Sequence, residues 1–315
     1  MEIKSLFITI NLLILHIIPG CFSAVCSIAA NQKPQSPLKN IPRAIKQVEV
    51  FGQKINYLET GKGPKIILLH GLGDDLHIWS ATVKALASKY QVFAIDQIGC
   101  GQSDKPPINY RPQVLVDFLN GFCRKLKIDK ATIVGNSLGG WVAAAFAEAH
   151  PERVEKLVLV GAAGYWPKIK GVEELTREQL ALLKVSSLAA YRETLKWMLY
   201  DEQMITDTLV EDLYAAQLKR KDGYTIDQFI EAVLRGEDRL SANLQKIKAP
   251  TLIIWGREDE VTPLAIGEAL AQEIPNTRKA LIDGCGHLPQ FECAGAFNAA
   301  LLKFLDNPLT TAAGR

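Results

Sequence analysis

Long uninterrupted apolar runs, internal repeats, CxxC cysteine pairs and an excess of either charge are all missing from this sequence, and each absence closes off a class of function. The 315-residue chain carries 36 basic and 34 acidic residues, a formal net charge of +2. That balance gives no field strong enough to gather a nucleic acid, and none is expected as a partner. Without a CxxC pair, neither a zinc site nor a thioredoxin-like motif has support. No metal or organic cofactor is implied. Histidine is scarce at five residues, which narrows the choice of any catalytic base. What the chain has in quantity is apolar surface: 48% hydrophobic residues against 22% charged, enough for a sizeable core and against disorder. The length suits one large domain or two small ones, and α/β folds of this size commonly run as one.

The N-terminus differs from the rest. Leu6 to Ile18 is apolar apart from Thr9, Asn11 and His16, short for a membrane span and the right size for the apolar region of an export signal. Ser27-Ile28-Ala29 offers small residues for cleavage after Ala29, so residues 1–29 are expected to be a signal and the protein periplasmic or secreted. Two alternatives stand: Ile18-Pro19-Gly20-Cys21 resembles a lipoprotein box with Cys21 as the lipidated residue, and the segment could remain as an uncleaved anchor. Either would associate the protein with a membrane. Cleavage after Ala29 would leave Cys100, Cys123, Cys285 and Cys293 in an oxidising compartment, with three possible pairings. Residues 30–44, with Pro34, Pro37 and Pro42, read as a linker.

From there the chain alternates. Short apolar runs at Lys65 to Leu69, Gln91 to Ile95, Ala131 to Val134, Val154 to Val160 and Thr251 to Trp255 are separated by stretches of helical period. Runs without polar alternation suit strands covered on both faces, which means a mostly parallel sheet. The expected fold class is a doubly wound α/β domain, residues 45–164 and 246–307, with an antiparallel entry around Gln47 to Leu58. Between residues 165 and 245 no strand is visible. Thr176 to Gln179 is a capping box opening a helix, and Leu209, Leu213 and Leu218 recur at helical spacing, so a helical lid inserted before the late strands is expected.

Gly135-Asn136-Ser137-Leu138-Gly139 matches G-x-S-x-G and sits between a strand and an alanine-rich helical stretch. That is the strand–turn–helix setting of a nucleophile elbow, where a Cβ at either glycine would collide with the adjoining strand and helix. Ser137 is the candidate nucleophile. Hydrolysis through a tetrahedral intermediate needs backbone N–H groups aimed at the oxyanion. Leu138, just after the serine, and Leu72, in His70-Gly71-Leu72-Gly73 after the first apolar run, are the candidate donors. His70 itself reads as a residue that ties its loop by hydrogen bonds. After the late strand, Glu258, Asp259 and Glu260 offer three carboxylates; position favours Asp259, with its neighbours solvated. His287, in the glycine-bearing loop Asp283 to Pro289, is the only histidine with both a flexible loop and a late position. His287 would act as base and Asp259 would fix its tautomer.

With these motifs in view, residues Gln47 to Asn307 resemble the α/β-hydrolase superfamily. Asp96 to Pro106 is similar to that family's D-x-x-G-x-G-x-S-D-x-P loop, with Gln97-Ile98 replacing the usual residues before the first glycine. A serine nucleophile excludes the haloalkane dehalogenase and epoxide hydrolase branches, which need a carboxylate. Asn136 and the His70 to Asp75 segment resemble bacterial esterases and monoacylglycerol lipases, which implies cleavage of a small-molecule ester. Cys285 to Glu292 resembles meta-cleavage-product hydrolases, which cut carbon–carbon bonds with the same triad and need a cation over the substrate carboxylate, for which Arg192 is the candidate. A receptor-like member with slow catalysis is the reading from a different class. Trp166, Trp197, Tyr200, Tyr214 and Phe229 are candidates to line an acyl pocket, though helix packing is the ordinary role of such residues.

Overall fold

The computed structural model describes residues 45–307 apart from 169–171, 185 and 241–242. Contacts divide the chain into residues 1–35 and 36–315, and every described residue belongs to the second unit. The export signal, Cys21, Cys26 and the linker lie outside the described residues. No described helix is long and apolar enough to cross a membrane.

The chain opens with an antiparallel pair, β1 (Ile45–Val50) and β2 (Gln53–Thr60), then β3 (Lys65–Leu69). A 3-10 turn leads into α1 (Ser80–Leu86), followed by β4 (Gln91–Ile95), α2 (Pro112–Lys125), β5 (Ala131–Asn136), α3 (Leu138–Ala149) and β6 (Val154–Val160). Helices α4 (Arg177–Ala181), α5 (Leu188–Met198), α6 (Asp207–Arg220) and α7 (Gly223–Leu234) come next. The chain closes with β7 (Thr251–Gly256), α8 (Leu264–Glu273), β8 (Thr277–Ile282), α9 (Pro289–Glu292) and α10 (Ala294–Asp306). The strands form one eight-stranded sheet in the order β1-β2-β4-β3-β5-β6-β7-β8. β2 pairs antiparallel with β1 and β4, and every later pair is parallel.

The unbroken apolar runs have a simple cause. Successive side chains of a strand point to opposite faces, and here both faces are covered. Ile67, Leu69, Ile133, Leu157 and Ile253 pack into a core with α2, α3 and α8, including Phe122, Phe146 and Leu270. Their neighbours Ile66, Leu68, Val134, Val158 and Ile254 pack on the other side with Trp79, Phe297 and Phe304. A strand filling two cores has no position left for a polar residue, which is why alternation is absent.

The insert between β6 and β7 holds helices and no strand among its described residues. Thr176 forms the expected capping box with Gln179. The Asp96 loop is also locked: the Asp96 carboxylate accepts the Asn56 amide, the Leu76 N–H and the Gln102 N–H, each at 2.8 Å. A Cβ at Gly101 would run into that carboxylate, so the loop's composition answers to packing, and the Gln97-Ile98 substitution leaves it intact.

Candidate active site

β5 runs two residues further than its apolar composition indicates, to Asn136, and delivers the chain to Ser137 at φ 54°, ψ −118°. For a residue with a Cβ this is strained backbone, of order 1–3 kcal/mol, and it persists because both sides are fastened. Ser137 N–H donates to Val160 O at 2.9 Å, while Ser137 O accepts from Trp141 and Ala163. The flanking glycines are required by backbone, as the motif predicts. A Cβ on Gly135 would meet the Gly139 carbonyl, and one on Gly139 would lie 2.6 Å from the His70 carbonyl oxygen.

Asp259 and His287, 28 positions apart, are in direct contact. His287 Nδ1 and Asp259 Oδ2 are 2.9 Å apart, and both side chains are buried. The other carboxylate oxygen accepts the N–H groups of Val261 and Thr262, both at 2.9 Å, so a tight turn after β7 holds the acid in one orientation. The one hydroxyl hydrogen of Thr262 has two acceptors within reach, Asp259 Oδ2 at 2.9 Å and Gly161 O at 3.1 Å. With Nδ1 engaged by a carboxylate, the proton sits on Nδ1 and Nε2 is left as the basic nitrogen. Ser137 and His287 line the same cavity. Ser137 Oγ and His287 Nε2 are not hydrogen-bonded to each other in the described structure; hydroxyl–imidazole pairs commonly tighten only once substrate is bound.

The histidine loop is tied from several sides. His287 N–H donates to Met198 O at 2.7 Å, and Asn136 Nδ2 donates to His287 O at 3.1 Å. Glu292 Oε2 accepts the Gly286 N–H at 2.6 Å. Glu258 differs from its expected role: it is half-buried, and its Oε2 accepts the Cys285 N–H at 2.9 Å. It thus serves the histidine loop, while Glu260 is exposed. Of the three possible pairings, the structure realises the disulfide Cys285–Cys293, leaving Cys100 and Cys123 free and buried. Cys285, Glu292 and Cys293 bring three potential metal-ligand atoms together, but both sulfurs are already bonded to each other.

Across the cavity stands the loop after β3. Gln97 N–H donates to His70 Nε2 at 3.1 Å, so Nε2 is an acceptor and Nδ1 carries the hydrogen, which is donated to Gly71 O at 2.7 Å. The C=O and N–H of a trans peptide point in opposite directions. Holding Gly71 O therefore aims the N–H of Leu72 away from His70. Leu138 is the first residue of α3, so its N–H has no partner within the helix. Leu72 and Leu138 both line the cavity.

The remaining walls come largely from the insert and are apolar: Trp166, Leu180, Leu183, Leu195, Leu213 and Phe229. Of the five aromatic candidates, Trp166 and Phe229 line the cavity and Trp197, Tyr200 and Tyr214 do not; Tyr200 is 56% exposed. Tyr191, which the sequence did not single out, lines it as well. Arg192 also departs from expectation. Its guanidinium bonds Ile205 O and Asp207 away from the cavity. The arginine in the wall is Arg220, at the end of α6 and 6% exposed. Burial pushes the nearby Asp74 carboxyl up to about 6, helped by the charge of Asp75. Asp75, despite its own burial, is held well below the usual carboxylate range by His77 and Arg220.

Residues 64–294 match the family model for the alpha/beta hydrolase fold. This chain belongs to that family. A 2-hydroxy-6-oxononadienedioate/2-hydroxy-6-oxononatrienedioate hydrolase of Cupriavidus pinatubonensis is 33% identical over 270 residues, 81% of this chain and 91% of that protein. Among solved structures, a meta-cleavage product hydrolase of Pseudomonas fluorescens superposes with a TM-score of 0.74 at 31% identity, covering 83% of this chain and 97% of that one. A membrane phospholipase A described as a bacterial virulence factor reaches the same TM-score at 28% identity, covering 83% of this chain and 85% of its own. By this kinship the alpha/beta hydrolase fold chain is a hydrolase. Carbon–carbon cleavage, the alternative drawn from the sequence, fits these relatives better than the ester cleavage expected first.

Proposed function

We propose that the chain hydrolyses a carbon–carbon bond next to a ketone, in a substrate of the 2-hydroxy-6-oxo-dienoate class, using Ser137, His287 and Asp259. The observation that carries the catalytic reading is the buried 2.9 Å contact between His287 Nδ1 and Asp259 Oδ2 beside the cavity that holds the strained Ser137. The kinship with meta-cleavage-product hydrolases supports the choice of bond.

In this reading His287 Nε2 takes the Ser137 proton as Oγ attacks the ketone carbon, and Asp259 stabilises the imidazolium. The N–H groups of Leu72 and Leu138, with the positive end of α3, receive the charge on the former ketone oxygen. Collapse breaks the carbon–carbon bond. The electron pair spreads into the conjugated carbonyl system because the dienol first ketonises, its 2-hydroxyl proton moving to the carbon beside the ketone; the dienolate released takes the proton from His287 on oxygen. Water activated by the same histidine then hydrolyses the acyl-serine ester, releasing a carboxylic acid.

Ester hydrolysis is the second reading, and one observation favours it. Arg220, the guanidinium of the cavity wall, is already bonded to Asp75 and to a backbone carbonyl, so a substrate carboxylate finds little free positive charge, whereas an apolar acyl group finds a matching wall. A single comparison separates the two. Purified protein and its Ser137→Ala variant are assayed on a 2-hydroxy-6-oxo-dienoate, by loss of its visible chromophore, and on p-nitrophenyl esters of graded chain length. The first reading requires kcat/KM on the dienoate to exceed the best ester by at least about tenfold, about 1.4 kcal/mol in barrier, with Ser137→Ala losing fluorophosphonate labelling and nearly all turnover. Ester turnover with an inert dienoate overturns it.

A further inference from the structure

Arg220 is an expensive residue to bury, since taking a guanidinium and its carboxylate out of water costs several kcal/mol per ion after relaxation. Its contacts show where that expense goes. Nη1 donates to Asp75 Oδ2 at 2.8 Å, and Nη2 donates to Gly73 O at 2.9 Å and to Gln217 Oε1. Asp75 in turn accepts both the N–H and the Nδ1 hydrogen of His77, at 2.9 and 2.8 Å. Asp222 Oδ2 lies 3.6 Å from Nε. The arginine belongs to the insert, yet two of its three close partners belong to the loop after β3.

The stretch of that loop facing Ser137 is Gly71-Leu72-Gly73. Its first carbonyl, Gly71 O, is held from within the α/β core by His70. Its last, Gly73 O, is held from the insert by Arg220. Gly73 sits at φ +73°, a conformation with little intrinsic preference to stay where it is. The Leu72 peptide is therefore clamped between one support in the sheet domain and one in the insert.

We infer that Arg220 is a positioning residue for the oxyanion donor: the Leu72 N–H is set correctly only while the insert is seated and its arginine grips Gly73 and Asp75. This rests on the reading of Ser137 as nucleophile and Leu72 N–H as donor, and it holds for a ketone and an ester alike. Cavity closure and readiness for charge development then become one event, so the chemistry is withheld until the apolar wall is in place around a substrate. Loss of one oxyanion donor costs about 10²–10³ in kcat, and a misplacement near 1 Å costs about 10².

The test uses the full chain with Arg220→Met and Arg220→Lys, assayed on one neutral ester and one carboxylate-bearing dienone. Arg220→Met is expected to lower kcat about 10²-fold on every substrate the native protein turns over, with KM changed less than about threefold. Affinity for a trifluoromethyl ketone, which forms a tetrahedral adduct, is expected to fall by a similar factor. Arg220→Lys should recover only part of the loss, because an ammonium lacks the planar fork that reaches Gly73 O and Asp75 together. A rise in KM confined to the carboxylate-bearing substrate, with kcat intact, would make Arg220 a substrate anchor and overturn the inference; so would unchanged kinetics. If Arg220→Met does not fold, Asp75→Asn weakens the same grip with little change of shape and is expected to move kcat in the same direction; kinetics unchanged by it overturn the inference equally. Turnover that survives in Ser137→Ala would instead remove the underlying catalytic reading.

Discussion

Replacing Asp259 by asparagine isolates one proton from everything else in the site. The carboxylate has two distinct sides. Oδ1 receives two backbone N–H groups, from Val261 and Thr262, at 2.9 Å each, so the asparagine carbonyl must occupy that side and the NH₂ must take the place of Oδ2. There it meets His287 Nδ1 and Thr262 Oγ1. The threonine hydroxyl adapts readily, since its one hydrogen can turn to Gly161 O at 3.1 Å and leave a lone pair to accept from the NH₂. The imidazole cannot adapt without cost: an N–H donor facing Nδ1 selects the tautomer with its hydrogen on Nε2, and the nitrogen meant to deprotonate Ser137 is then blocked. The equivalent change in a serine protease lowers kcat about 10⁴-fold, and the same loss is expected here, about 5.4 kcal/mol in barrier. Stability should change little, because both backbone bonds survive. The assay is kcat on the best substrate beside a thermal melt, with Glu258→Gln as control, expected to stay within about tenfold because it leaves the imidazole tautomer alone. Activity in Asp259→Asn within tenfold of the native protein would refute the tautomer argument, and a larger loss in Glu258→Gln would move the acid to residue 258.

The elbow, the last helix and the charged wall make three further predictions. Gly139→Ala places a methyl against the Leu69 and His70 carbonyls and should destabilise by about 2–3 kcal/mol or more. Gly295→Ala, in α10 with nothing within 4 Å, should instead be stabilising by about 0.5–1 kcal/mol; urea midpoints of the two variants check both. Asp74→Asn probes the raised carboxyl. In the folded protein that group titrates near 6, against 3.8 for an unperturbed aspartate, so the native state binds the extra proton between those values and stability falls as pH rises through that window. Removing the ionisation should stabilise the protein by about 1–3 kcal/mol above pH 6 and leave it unchanged below about pH 4, read from melts at both pH values. A gain of equal size at low pH would mean that some other property of the side chain is responsible.

The strands and the elbow were legible because their causes are local. A strand covered on both faces must be apolar throughout, so β3, β4 and β6 stand in the sequence with the ends they have in the fold. A serine in a strained turn must be flanked by residues without a Cβ, so Gly135 and Gly139 mark it. His287 and Asp259 followed from chain order and loop position, and they meet as expected. β5 was read two residues short because Gly135 and Asn136 belong to the motif as well as the strand. Glu258 was taken for a solvated neighbour because nothing in an acidic loop distinguishes a carboxylate that faces water from one that caps another loop's N–H.

The insert exposes the limit. Its helical character was plain from a capping box and from leucine spacing, but which side chains reach the cavity depends on how each helix is rotated over the sheet. Periodicity fixes the stripe on a helix and leaves open what the stripe meets. Arg192 and Arg220 both occupy helices with acidic neighbours; only packing sends one to Asp207 at the surface and the other to Asp75 beneath the cavity wall. The sequence by itself thus determined the strands and the elbow, by short-range sterics, and the candidate partners Asp259 and His287, by chain order. The choice of cavity residues, the Cys285–Cys293 disulfide and the fastening of the loop after β3 from two sides were decided by tertiary structure, because each depends on a distance between segments that no local pattern encodes.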